Sequence, residues 1–149
     1  MNDIASLQQR IQRLEDIEAI KKLTATYALY VNKGWNEKAV DFDKLPLVFS
    51  ENARWRSAAI SVDVSGLANI VEMLKKGTAS VDFAMHSFTN PIIEVDGATA
   101  TGNWLLWVGV KTGNSANEVF QSEEISYVRE ASGWRIASIN LHFGSMLLG

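Results

Sequence analysis

From residue 4 to residue 31 the chain carries neither glycine nor proline, and from residue 81 onward turn-forming clusters cut it into long strand-like segments. A chain divided in this way builds one long helix and then an antiparallel meander, which is an α+β layout. In the front part, Ile17, Ile20, Leu23, Tyr27 and Val31 recur at three- and four-residue spacing and predict a helix with one buried face. Arg13, Glu15, Asp16, Glu18, Lys21 and Lys22 predict its solvated face. Gly34 ends this helix. A second helix is predicted from residue 35 to about residue 44, stopping before Pro46.

The remaining elements follow from local pattern. A first strand covers residues 53–56, an extended arm or short hairpin 57–65, and a third helix 66–76. Four strands are predicted over 81–95, 98–111, 118–130 and 134–143. They are separated by Asp96-Gly97, Thr112-Gly113-Asn114-Ser115 and Ala131-Ser132-Gly133. Thr89-Asn90-Pro91 interrupts the first of these strands. Proline cannot donate to a sheet ladder, so an edge position or a bulge is expected there. The last strand alternates only in part, with Ala137, Ile139, Leu141 and Phe143 on one parity and Ile136, Ser138, Asn140 and His142 on the other. Which parity faces inward stays open. The whole chain, 1–149, reads as a single domain: a cone in which N-terminal helices pack in a curved, mainly antiparallel sheet.

Composition narrows the chemistry. The net charge is −3 with both signs interspersed, so no basic nucleic-acid face is expected. The chain has no cysteine, which removes thiol nucleophiles, disulfides and thiolate metal sites together. Two distant histidines and scattered carboxylates give no recognisable metal site. No signal core or membrane-length apolar run is present, so a cytoplasmic protein without membrane contact is the expectation. Gly97, Gly102 and Gly109 lack the strand–loop–helix setting of a phosphate loop. Five tryptophans, six phenylalanines and three tyrosines suit a core or a pocket for a flat ligand.

His86 is the side chain whose position invites chemistry. It lies among Phe83, Met85 and Phe88, a dry setting for a residue that changes charge near neutral pH. Read locally, it is either a buried core histidine or a general acid–base.

Asp16-Ile17-Glu18-Ala19-Ile20-Lys21-Lys22-Leu23 leading to Tyr27, then Asn32-Lys33-Gly34-Trp35, are joined by Phe49-Ser50-Glu51-Asn52-Ala53-Arg54-Trp55. His86 with Thr89-Asn90, residues 98–104 and Gly133-Trp134-Arg135-Ile136 complete the set. Through these pieces the chain resembles the SnoaL-like branch of the NTF2-like superfamily, which contains scytalone dehydratase, hexachlorocyclohexane dehydrochlorinase and bile-acid 7α-dehydratase. The resemblance implies the cone fold, a cofactor-free lyase or isomerase reaction, and a histidine base paired with an Asp near the end of the first helix. His86 matches that histidine, but Asn32 stands at the Asp position. Asparagine can orient an imidazole without stabilising its cation by charge, so a lowered His86 pKa is expected. The resemblance places Tyr27 at a catalytic tyrosine and Trp55 at a pocket tryptophan, while Val108 stands where the dehydratases have a polar group.

Further candidates are Tyr30, as a phenol donor, and Glu124, as an acid or base if it points inward and a solvated glutamate otherwise. His142 is placed at the pocket mouth or the surface. Phe88, Trp104 and Phe143 would form the aromatic wall. Trp107 points to the face opposite Trp104, and that outer face carries enough apolar residues to imply a homo-oligomer, a trimer or a dimer. The expected partner is a hydrophobic, aromatic or polycyclic small molecule, with no cofactor and no metal. Two other readings on the same fold are a non-catalytic binding protein and a partner subunit of a larger enzyme.

Overall fold

The computed structural model describes residues 3–149. Helix α1 (Asp3–Val31) is followed by strand β1 (Phe49–Ser57), strand β2 (Val62–Ser65) and helix α2 (Leu67–Thr78). Strands β3 (Phe83–Asp96), β4 (Thr99–Thr112), β5 (Ser115–Glu130) and β6 (Gly133–Leu148) then run as a meander. The six strands form one sheet in the order β2-β1-β6-β5-β4-β3. Every pairing is antiparallel except β1 with β6. The α+β cone is therefore the observed architecture, and the arm expected over 57–65 is a β1–β2 hairpin.

Helix α1 packs on the inner face of the sheet through Ile20, Thr24, Tyr27, Ala28 and Val31, all buried. Asp16 is the correction on this helix. It was expected in solvent, yet it is 5% exposed. Its Oδ1 accepts from Trp134 Nε1 at 3.0 Å, Arg129 Nη1 at 3.3 Å and Gln12 Nε2 at 3.1 Å. Three donors on one carboxylate oxygen offset the cost of burying the charge and tie the middle of the helix to the β5–β6 end of the sheet.

No second helix follows α1. Residues 32–41 run as an irregular crossing, and only a 3-10 turn, Phe42–Leu47, precedes β1. The helical pattern loses here because the backbone is claimed by hydrogen bonds that no helix makes. Lys33 exchanges both of its hydrogen bonds with Ala84, Gly34 N–H bonds Lys38 C=O, and Asp41 N–H bonds Tyr30 C=O. Asn36 and Glu37 both adopt positive φ. Gly34, at φ +101°, is required: a Cβ there would sit 2.5 Å from the Asp82 carbonyl oxygen.

Two of the sheet's bulges bear on its faces. On β3 an extra residue lies between Thr89 and Ile92, with Asn90 at φ 51°, and Pro91 sits on an edge strand as the ladder argument requires. On β6, Ile136 pairs with Tyr127 and Ser138 with Ser126, so Ala137 is an extra residue. The inward parity switches there: Trp134 and Ile136 are buried before it, and Ile139 after it. Neither parity of the last strand is inward throughout, because the bulge changes one for the other.

Candidate functional site

The end of α1 is fastened to the sheet edge. The Asn32 N–H still bonds the Ala28 carbonyl at 3.0 Å, and Lys33 clamps Ala84 on β3 through two 3.0 Å bonds. Two residues further along this edge strand, the outward N–H of His86 has no strand to donate to. It donates to Asn32 Oδ1 at 2.8 Å, and His86 Nδ1 lies 2.9 Å from the same oxygen.

This pair fixes a tautomer. A backbone N–H can only donate, so the atom facing it is the amide oxygen and not the amide nitrogen. That oxygen has no proton to give, so Nδ1 must carry one. Nε2 then holds the lone pair, and no hydrogen bond reaches it among the described residues. Burial pushes the imidazole down to about 4, with no carboxylate beside it to offset the loss of water. Around neutral pH His86 is a neutral base with its free nitrogen available.

The His86 ring borders an open groove of about 570 Å³ between α1 and the β3–β4 edge. Lys21, Ala25 and Leu29 contribute from the helix, Asn32 from just past its end, His86 and Phe88 from β3, and Trp104 from β4. Phe88 meets Trp104 edge-on at 5.9 Å and Tyr27 at 6.2 Å, so it is shared between the groove and the interior. The Trp104 N–H is already committed: it donates to Tyr127 Oη at 2.9 Å. The Thr24 hydroxyl donates to the Ile20 carbonyl, so Tyr127 donates in turn to Thr24 Oγ1 at 2.8 Å. Trp104 therefore offers the groove a ring face and no donor.

A second polar group lies deeper. Glu123 on β5 is 2% exposed, and its Oε2 is buried without a hydrogen-bond partner. Burial raises its carboxyl to about 8, so it is largely protonated at neutral pH. Trp55 Nε1 is likewise buried and unpartnered; it approaches the Tyr27 hydroxyl without completing a bond. The Tyr27 phenol is pushed well above its usual range, first by its own burial and then by the nearby Glu123. Tyr27, Trp55 and Glu123 form a buried polar cluster around the Tyr27 hydroxyl.

The structure brings His86, Asn32, Phe88 and Trp104 to the groove. Val108 is buried directly across the β3–β4 ladder from His86. Tyr27 and Trp55 lie in the interior, and Tyr30 is half-buried with the Lys44 ammonium 5.8 Å from its ring centre. Phe143, 49% exposed, lies outside the groove. Glu124 and His142 are corrections. They face each other at 3.4 Å on the outer side of the sheet, both well exposed, and neither reaches the site. The inward carboxylate is Glu123. The signal for it was the alternation of β5, because Ile125 and Tyr127 share its parity and both are apolar. Among the described residues, no three His, Asp or Glu side chains gather closely enough to hold a metal ion.

The description that fits by sequence is the SnoaL-like domain, over residues 12–140. No curated protein matches the sequence. Among solved structures, the chain is similar to the Kfla4162 protein of Kribbella flavida, at 17% identity and a TM-score of 0.81, covering 91% of this chain and 95% of that one. It is similar to a hexachlorocyclohexane dehydrochlorinase of Novosphingobium barchaimii, at 17% identity and a TM-score of 0.81, with 94% of both chains covered. A scytalone dehydratase-like protein of Novosphingobium aromaticivorans is 14% identical, with a TM-score of 0.78 over 91% of this chain and 88% of that one. At these identities the likeness is one of fold.

Proposed function

Because the chain belongs to the SnoaL-like domain family, we propose that it is a cofactor-free lyase or isomerase acting on a hydrophobic, aromatic or polycyclic small molecule. The observation that carries this reading is the locked tautomer of His86, with Nδ1–H held by Asn32 and Nε2 left free beside an apolar groove. Dehydrochlorination and dehydration, the reactions named for two structural relatives, both remove a proton and a leaving group from a carbon framework.

In the proposed step, His86 Nε2 takes a proton from a substrate carbon. The C–H electron pair becomes a new double bond, and the leaving group departs with its own bonding pair. In an isomerisation the same nitrogen returns the proton to another carbon. Asn32 holds the ring through both states, since its oxygen accepts from Nδ1–H whether the imidazole is neutral or charged. Phe88 and Trp104 would clamp a flat ring and exclude water. Protonated Glu123, with Tyr27 and Trp55, supplies donors deeper in the cone for a substrate oxygen that displaces Phe88.

A second reading is a binding protein on the same fold. The depression of His86 to about 4 without a carboxylate partner favours it, since a base so weak accepts a carbon-bound proton slowly.

An activity panel in deuterated water, read by mass spectrometry, separates them. Wild type and His86→Ala would be offered aromatic alcohols, hydroxyketones and diaryl propanoids. Loss of water or deuterium uptake at carbon by wild type alone supports the lyase or isomerase. Equal activity in both proteins removes His86 from the chemistry. No turnover, together with ligand-induced rises in Tm, gives the binding reading the lead.

A further inference from the structure

The first half of α1 carries an apolar stripe exposed to solvent. Leu7, Ile11 and Leu14 are 51%, 54% and 64% exposed, and Ile4, in phase with them, is 65% exposed. The positions 4, 7, 11 and 14 are those of two heptads, with isoleucine at each a position and leucine at each d position. This choice favours two parallel strands over three or four. The stripe faces away from the body: from Ile11 to the fully buried Ile20 is nine residues, about two and a half turns, which puts them on opposite sides of the helix.

We infer that this seam docks on the same seam of a second copy of the chain, forming a parallel two-stranded coiled coil. Three features select that partner and that direction. In this register Arg10 falls at g and Glu15 at the following e position. Two parallel copies therefore place each Arg10 against the other copy's Glu15, twice by symmetry. Neither side chain has an ion pair within its own chain, among the described residues. Because the seam lies opposite the core-facing side of α1, the two bodies stand on the outer flanks of the paired helices without colliding.

The third feature is where the seam stops. The next a and d positions are Glu18 and Lys21, both charged, and a parallel pair would set each against its own like charge. The zipper ends after Leu14, and the helices separate before the face that lines the His86 groove. Two heptads are short for an isolated coiled coil, because a free peptide must first nucleate its helix. Here the helix is already formed and anchored at Asp16 by Trp134 and Arg129.

The test uses the full chain in analytical ultracentrifugation. Wild type is expected to be a dimer, and Leu7→Glu with Leu14→Glu a monomer of unchanged far-UV circular dichroism, since both residues are exposed. Arg10→Glu and Glu15→Arg should each dimerise weakly alone and pair with each other when mixed. Leu7→Cys, in a chain with no other cysteine, should form an intermolecular disulfide on mild oxidation. A monomeric wild type overturns the proposal. So does an oligomer that survives Leu7→Glu with Leu14→Glu, which would place the interface elsewhere. Loss of the dimer without a Leu7→Cys crosslink overturns the parallel arrangement.

Discussion

Glu123 is buried and His86 half-buried at the groove, and their pKa values move in opposite directions, one to about 8 and the other to about 4. The linkage follows from which state binds more protons. Between the ordinary carboxyl pKa and about 8, folded Glu123 holds a proton that the unfolded chain has lost, so stability falls as pH rises through that window. Between about 4 and the ordinary imidazole pKa, unfolded His86 is protonated and folded His86 is not, so stability falls as pH drops. Glu123→Gln keeps the shape and removes the first effect. Urea unfolding midpoints of this variant should stay level from about pH 7 to pH 8, above the His86 window, while those of the wild type decline. Parallel curves would show that Glu123 does not titrate in the folded protein. His86 was legible in the sequence as a histidine inside an apolar run, and Asn32 only through the resemblance, which puts the histidine's partner at the end of the first helix. Glu123 was obscured by its neighbour: two adjacent glutamates look alike until the strand's parity says which one turns inward.

At the level of elements, α1 depends on a buried charge. Asp16→Ala removes the one acceptor shared by Trp134, Arg129 and Gln12 and leaves a buried indole N–H unpaired. It is expected to cost about 2–4 kcal/mol, read as a shift in the denaturation midpoint. A cost below about 0.5 kcal/mol, the level of an exposed side chain, would mean that the helix is held by packing alone. The long helix, α2, the meander and the kink at Pro91 were all legible, since each rests on spacing or on proline's missing donor. The segment after Gly34 was not. Its residues have ordinary helical propensity, and what keeps them from a helix is hydrogen bonding back to Tyr30 on α1 and across to Ala84, which is remote in sequence. The Ala137 bulge escaped for a similar reason. Nothing local marks it, yet it decides which of Ile136 and Ile139 faces inward.

In the whole molecule, one sheet carries both the groove and the core, and its strands close in an uneven order. Strands β3 to β6 pair as successive neighbours, whereas β1 joins the sheet against β6. Phe49 meets Ile136 across roughly 85 residues of chain, so this pairing carries the largest loop-closure cost in the sheet. The meander can therefore assemble from local hairpins in an early, rate-setting step, with β1 added after the barrier. Val48→Ala, at the docking point where the Val48 carbonyl accepts from Ile136 N–H, should then speed unfolding and leave the refolding rate nearly unchanged in stopped-flow experiments. Ile125→Val, inside the meander, should slow refolding instead; the reverse pattern would place β1 in the nucleus. An early β3–β6 meander also exposes, for a time, the β6 edge that β1 later covers. A newly made chain is most prone to mispair with its neighbours in that interval, before its last native contact has a chance to form.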